Sequence, residues 1–274
     1  MRFADLHLHT YHSDGMRSPR DIVELAASHQ LDIIAISDHD NLAAFHEAAP
    51  LAHERSILLI PAVELSAAYR GVDVHILAYS FDPEDAKIAE RLEHFRQARE
   101  TRGIRMVENL QQLGYPITTE QVQALSGDGA LGRPHVARAL IESGVVESID
   151  DAFRTLLKPG KPGFVPKARL DVDDAVEMIH AAGGLLSVAH PTLYPDHQTI
   201  VPELFERGVD GVEAHHPKVD LDAQRFYIEL AKYHGKIVTG GSDDHGFDGR
   251  EAIGSVRVPE DEIQMIVERV EQRA

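Results

Sequence analysis

Short apolar runs alternate with amphipathic stretches along most of this chain, a rhythm that predicts strands and helices in turn. Residues 2–8 read as a first strand with Phe3, Leu6 and Leu8 as its apolar members. Ser18-Pro19 then supplies a capping hydroxyl and a proline at the first helical position, predicting a helix to about His29. "LDIIAISDHD" gives a buried strand over 33–37, residues 42–55 a second helix, and "ILLIPAVELS" a strand ending in Glu64. "VDVHILAYSF" is a fourth strand. Further on come a helix over 171–183, "GLLSVAH", another helix, "GVEAHH", a helix over 221–234, "KIVTGGSDDH" and a terminal helix. Strands alternating with helices point to a mostly parallel α/β sheet or barrel.

Between about 84 and 165 the rhythm breaks. That stretch reads as consecutive helices over about 84–113, 118–125, 133–143 and 148–157, after which "KPGKPGFVP" leads back. A structureless loop of such length would be implausible, so residues 96–165 are expected to form a helical insertion. The barrel then comprises residues 1–95 and 166–274.

Composition narrows the chemistry. The chain has 274 residues, a hydrophobic content of 43% and a net charge of −18, ordinary for a globular protein and unsuited to a broad nucleic-acid-coating surface. No apolar run approaches the roughly 20 residues needed to span a bilayer, and the N-terminus has no apolar leader, so a cytoplasmic protein without membrane contact is expected. With no cysteine, there is no disulfide, thiolate nucleophile or cysteine-held metal. Any metal must be bound by His, Asp and Glu, which suits Mn²⁺, Fe²⁺, Zn²⁺ or Mg²⁺.

The histidines have a pattern. On the first strand Asp5, His7 and His9 alternate with Leu6 and Leu8 and so share one face. Further polar groups recur where strands end: Asp38-His39, Glu64, His190, His215-His216, Asp243 and His245. In a βα-barrel those ends converge on one face, where active sites lie. Asp5 is expected either to orient an imidazole or to be structural, and Asp40 to cap the following helix.

The segments "DLHLHTYHSDG", "ISDHD", "VEL", "VHILAY", "AHP" and "GSDDH", in this order, resemble the motif series of the PHP (polymerase and histidinol phosphatase) family of metal-dependent phosphoesterases. The resemblance implies a distorted (β/α)7 barrel with up to three divalent metals (Mn, Fe or Zn, with Mg an option). It assigns one metal to His7, His9, Glu64 and Asp243. A second would share Glu64 and add His75 and His190, and a third would take Asp14, His39 and His245. Every one of these positions holds a suitable ligand type, with Glu64, His190 and His245 nearest the chemistry. The implied reaction is phosphoester hydrolysis by metal-activated hydroxide, without a covalent enzyme intermediate.

Within the insertion, "QARETRGIRMVENLQQLG", "GRPHVARAL" and "AFRTLLKPGKPGFVP" resemble the branch containing nucleoside 3′,5′-bisphosphate phosphatases and 5′-to-3′ exoribonucleases. The substrate implied is a small nucleotide or the 5′ end of a short RNA. Gly132-Arg133-Pro134-His135 would open a helix where Arg133 and His135 can receive a phosphate. Arg99 and Arg102 share a helix face and are further candidates, as is His216. No basic track for a long strand is evident. Two other readings are a histidinol-phosphate-type phosphomonoesterase and a non-catalytic PHP scaffold; the second predicts missing ligands.

Overall fold

Ser18 accepts a hydrogen bond from the Asp21 N–H while the Asp21 carboxylate accepts from the Ser18 N–H, a reciprocal cap that starts α1 (Pro19–Ser28) at its expected position. The computed structural model describes residues 2–126, 131–166, 169–246 and 252–273. Around α1 lie β1 (Phe3–Leu8), β2 (Ile33–Ile36), α2 (Ala43–Glu54), β3 (Leu58–Tyr69) and β4 (Val72–Tyr79). Next come α3 (Ala86–Gln112), α4 (Thr119–Ser126), α5 (Arg133–Glu142) and α6 (Ile149–Ala152), which runs into a π-helical turn over Phe153–Leu157. The chain returns through β5 (Leu170–Asp171), α7 (Val172–Ala181), β6 (Leu185–Val188), α8 (His197–Glu206) and β7 (Gly211–His215). It finishes with α9 (Leu221–His234), β8 (Ile237–Gly240), β9 (Val258–Pro259) and α10 (Gln264–Glu271). Among the described residues no helix is long and apolar enough to cross a membrane.

The strands form one sheet in the order β8-β7-β6-β4-β3-β2-β1-β9, with β5 added to β3. It curls into a nearly closed barrel. Just past β8, Asp243 N–H donates to His7 O (2.9 Å) and Asp244 O accepts from His9 N–H (3.1 Å), joining the last long strand to the first. Gly241 makes that approach possible, since a Cβ there would fall on the His7 backbone nitrogen and Cβ.

One sequence expectation needs correction. The third strand does not end at Glu64; β3 continues to Tyr69 and returns as β4 through a two-residue turn, Arg70-Gly71, both with positive φ. Strand β4 is therefore antiparallel to both its neighbours, β3 and β6, within an otherwise mostly parallel ring. This reversal matters to the site: His75 lies in the first half of β4, so it reaches the same mouth as the C-terminal ends of the parallel strands.

Helix α3 runs unbroken across residue 96. Its first half, with Ile88, Leu92 and Phe95, packs onto β3 and β4 in the barrel cluster that includes Leu65 and Ile76. Its second half, with Met106, Val107 and Leu110, joins a separate apolar cluster with Val122, Val136, Leu140, Leu156 and Leu157. One helix thus anchors a second helical body over the barrel mouth. At burial values of roughly 25 cal/mol per Å² these clusters are what hold the two bodies in register.

Candidate active site

The polar residues of the strand ends converge at the mouth. A bulge between Asp5 and Leu8 turns the end of β1, so that Leu6 and Leu8 enter different apolar clusters while His7 and His9 bring their Nε2 atoms to 3.1 Å. Glu64 projects from mid-β3 between buried Val63 and Leu65. Its Oε2 lies 3.4 Å from His7 Nε2 and 3.2 Å from His9 Nε2, and Asp243 Oδ1 lies 3.5 Å from each of these nitrogens. The other oxygen, Oε1, faces elsewhere: 2.6 Å from His75 Nδ1 and 3.1 Å from His190 Nε2. A third group gathers beside the first, with Asp14 3.3 Å from His245 Nε2 and 3.7 Å from His39 Nε2.

Several imidazoles have their lone pair aimed by a hydrogen bond on the far nitrogen. His7 Nδ1–H donates to Glu213 Oε1 (2.9 Å) and His245 Nδ1–H to the Asp243 carbonyl (2.9 Å). In both, Nε2 is left as an acceptor facing the cluster, the arrangement a metal ligand requires. His39 Nδ1 is buried without a hydrogen-bond partner although Glu64 Oε2 lies 3.0 Å away. Burial pushes the His39 imidazole down, to about 3.

The electrostatics of the cluster favour a cation. Burial opposes ionisation of Glu64, but the imidazoles of His39, His75 and His7 hold it well below the usual carboxylate range. Asp14 is lowered in the same way against its burial by His39 and His245, and Asp243 by His7 and His216. Conversely, burial would lower His7, yet Glu213, Asp243 and Glu64 raise it well above its ordinary value. Ionised carboxylates and converging nitrogen lone pairs, with no thiolate, fit divalent ions that accept N/O ligands. The backbone is bent to serve this geometry: both His190 (φ 28°) and Asp243 (φ 53°) adopt positive φ.

Residues beyond the sequence candidates support the cluster. Glu213 bonds both His7 and the backbone N–H of His190 (2.7 Å), tying two ligand groups together. Its flanking residues Val212 and Ala214 pack into the outer apolar cluster, so strand alternation alone aims Glu213 into the barrel. Asp38 accepts from Thr10 N–H (2.8 Å), Thr10 Oγ1 (2.6 Å) and Ser13 Oγ (2.5 Å), fixing the loop that carries Asp14. Asp5 orients no imidazole; it accepts from Ser242 N–H (2.9 Å) and Gly254 N–H (3.0 Å) and is structural.

Asp40 does not cap α2. Positive φ (51°) turns it inward, where it accepts from Ser66 N–H (2.9 Å) and an Arg99 Nη (2.7 Å). Asn41 bonds Ala43 N–H at that helix start instead (2.9 Å). Arg99 is thereby drawn from a helix face into a cavity of about 140 Å³. Barrel residues Asp14, His39, Asp40, Ser66 and His75 line one side; Phe95, Ala98, Arg99, Arg102, Arg133, Pro134 and Phe153 line the other. Arg102 Nε donates to Val165 O (2.7 Å), and burial together with the charges of Arg133 and Arg99 pushes its guanidinium down to about 10. Arg133 is lowered too, chiefly by burial. Cations crowded in this way bind an anion to mutual advantage.

Two expected substrate contacts do not reach the cavity. His135 is 2% exposed and its Nδ1 accepts from Gly132 N–H (3.0 Å), closing the first turn of α5. The side chain of His216 is fully buried, with Nε2 3.3 Å from Asp243 Oδ2 and Nδ1 accepting from Lys218 N–H (3.0 Å). It steadies the carboxylate of Asp243 from behind. The side chains of Lys218 and His216 together leave Asp243 Oδ1 for the cluster.

Comparison with known proteins agrees with the geometry. The PHP domain model matches residues 5–158. A 5′-3′ exoribonuclease of Haemophilus influenzae is 33% identical over 245 residues, 88% of this chain and 89% of that one. A 3′,5′-nucleoside bisphosphate phosphatase of Chromobacterium violaceum is 32% identical over 258 residues, 92% of this chain and 90% of that one. A solved structure from Bifidobacterium adolescentis, assigned to the metal-dependent phosphoesterases, is 32% identical, covers 97% of this chain and 96% of its own, and superposes with a TM-score of 0.88.

Proposed function

Because the chain belongs to the PHP-domain family, we propose that it is a metal-dependent phosphoesterase that hydrolyses nucleotide phosphoesters. The substrates are a nucleoside 3′,5′-bisphosphate, the 5′-phosphorylated end of a short RNA, or both. The observation that carries this reading is the split carboxylate of Glu64, one oxygen facing His7 and His9 and the other facing His75 and His190. A carboxylate placed in this way would be shared between two ions. His7, His9, Glu64 and Asp243 would hold one ion, Glu64, His75 and His190 a second, and Asp14, His39 and His245 a third. When bound, such ions acidify water and neutralise phosphoryl oxygens.

The chain's own residues do the rest. Glu64, His190 and His245 would stand at the reacting centre as ligands and set its shape. Arg99, Arg102 and Arg133 grip the phosphate that is not cleaved, and Asp40 fixes the Arg99 fork through a charge-assisted bond (2.7 Å). Burial strengthens these contacts by excluding water. The grip is short, so the site binds an end of a nucleic acid and not its length. A panel of adenosine 3′,5′-bisphosphate, 5′-phosphorylated short RNA, histidinol phosphate and AMP tests the reading. Either of the first two should be turned over best. Preference for histidinol phosphate would overturn the nucleotide assignment, and no hydrolysis of any by metal-loaded protein would overturn the phosphoesterase.

A further inference from the structure

We propose that the ring of Phe153 is the surface on which the substrate's nucleobase stacks, and that the base is held by stacking without its identity being read. The proposal deepens the nucleotide-phosphoesterase reading and rests on it. Phe153 begins the π-helical turn Phe153–Leu157, closed by Lys158 N–H to Phe153 O (3.0 Å). In an α-helix Phe153 would share one face with Leu156 and Leu157. The wider turn rotates Leu156 away from the side on which Phe153 lies. Leu156 and Leu157 are 4% and 0% exposed, inside the insertion's apolar cluster, while Phe153 remains partly exposed and lines the cavity.

The ring also stands in the correct company. The Arg133 guanidinium carbon lies 5.4 Å from its centroid, so a phosphate-gripping cation and an aromatic surface adjoin. Phe95, the other phenyl ring at the cavity among the described residues, is only 5% exposed. Among the described residues no side-chain amide lines the cavity, and the two carboxylates that do are committed: Asp14 to the His39/His245 group and Asp40 to Arg99 and Ser66. Hydrogen-bonded reading of a base edge needs such groups, whereas stacking needs only a π-face that every base has.

The test compares equilibrium binding of AMP and ribose 5-phosphate to the metal-loaded protein by calorimetry, with F153L and F153W beside the natural chain. Leucine keeps apolar packing but removes the aromatic face; tryptophan keeps the face. The natural chain should prefer AMP by roughly five- to hundredfold, F153L should lose that preference, and F153W should retain it. GMP, CMP and UMP should bind within about tenfold of AMP. Equal binding of AMP and ribose 5-phosphate by the natural chain, or an undiminished preference in F153L, overturns the proposal. Strong selection of one base overturns the claim that identity is not read. Hydrolysis of adenosine 3′,5′-bisphosphate is assayed in parallel. If it is absent while the AMP preference persists and depends on Phe153, the phosphoesterase reading fails and the stacking surface stands.

Discussion

The two sides of the cavity are built in different ways. On the barrel side, each proposed ligand leaves a strand, a segment just past a strand end, or, for Asp14, a loop pinned by Asp38, and most are held by a second partner. Glu213 bonds His7, the Asp243 carbonyl bonds His245, and His216 and Lys218 engage Asp243. On the insertion side, Arg102, Arg133 and Phe153 adjoin the separate apolar body, while Arg99 leaves the shared helix α3 and is held by Asp40 and Ser66 of the barrel. The placement of the first three depends on where that body sits. The barrel ladder thus fixes the proposed metal ligands, and helix packing fixes the proposed substrate contacts. The proposed function predicts that chemistry and selectivity are separable.

Replacing Glu64 with Gln should break the barrel side most severely. It removes the charge shared between two ligand groups while preserving volume. Bound metal should fall, and kcat/KM should drop by about 10³-fold or more, corresponding to the several kcal/mol that metal-centred charge stabilisation provides. Circular dichroism should show the fold retained. Near-normal metal content and rate in E64Q would rule out the bridge.

Glu213→Gln probes the same side one step removed. Losing the charge behind His7 should weaken metal affinity by about ten- to hundredfold, with activity restored at high metal concentration. A loss that excess metal does not rescue would place Glu213 elsewhere in the chemistry. Arg133→Ala tests the opposite side: hydrolysis of adenosine 3′,5′-bisphosphate should fall about ten- to hundredfold, that of bis-p-nitrophenyl phosphate much less, with metal content unchanged. Equal losses on both substrates would mean that the two sides are not separable.

The smallest effect concerns salt. If only one or two phosphates are gripped, log(kcat/KM) for a short 5′-phosphorylated RNA should fall against log[salt] with a slope of about −0.7 per contact. Rates should also level off with chain length. A steep slope and rates rising strongly with length would require a basic track beyond the cavity.

Legibility in the sequence follows the same division. His7, His9, Asp14, His39, Glu64, His75, His190, Asp243 and His245 could be picked out because each lies in a short motif beside a strand. Glu213 was as legible in principle, since period-two alternation in "GVEAHH" aims it inward. The adjoining His215 and His216 drew the eye instead. The β3–β4 hairpin was harder to see, because its turn is Arg70-Gly71 and lacks the Asn or Asp that usually marks two residues of positive φ. Asp40 and Arg99 are 59 positions apart, and no local signal announces their pairing. His135 carried a helix-start signal correctly, but whether its imidazole faces a ligand or its own backbone is decided by packing. Phe153 could not be distinguished from a core residue until the π-helical turn was known.

The central claim is that ions held by the strand-end cluster perform the hydrolysis. The direct measurement is to strip the protein with a chelator, restore Mn²⁺ in steps, and follow metal bound per chain together with phosphate released from adenosine 3′,5′-bisphosphate. Stripped protein should be inactive yet folded, and activity should rise as the sites fill. Full turnover by metal-free protein would contradict the account, as would a fully loaded protein that releases no phosphate.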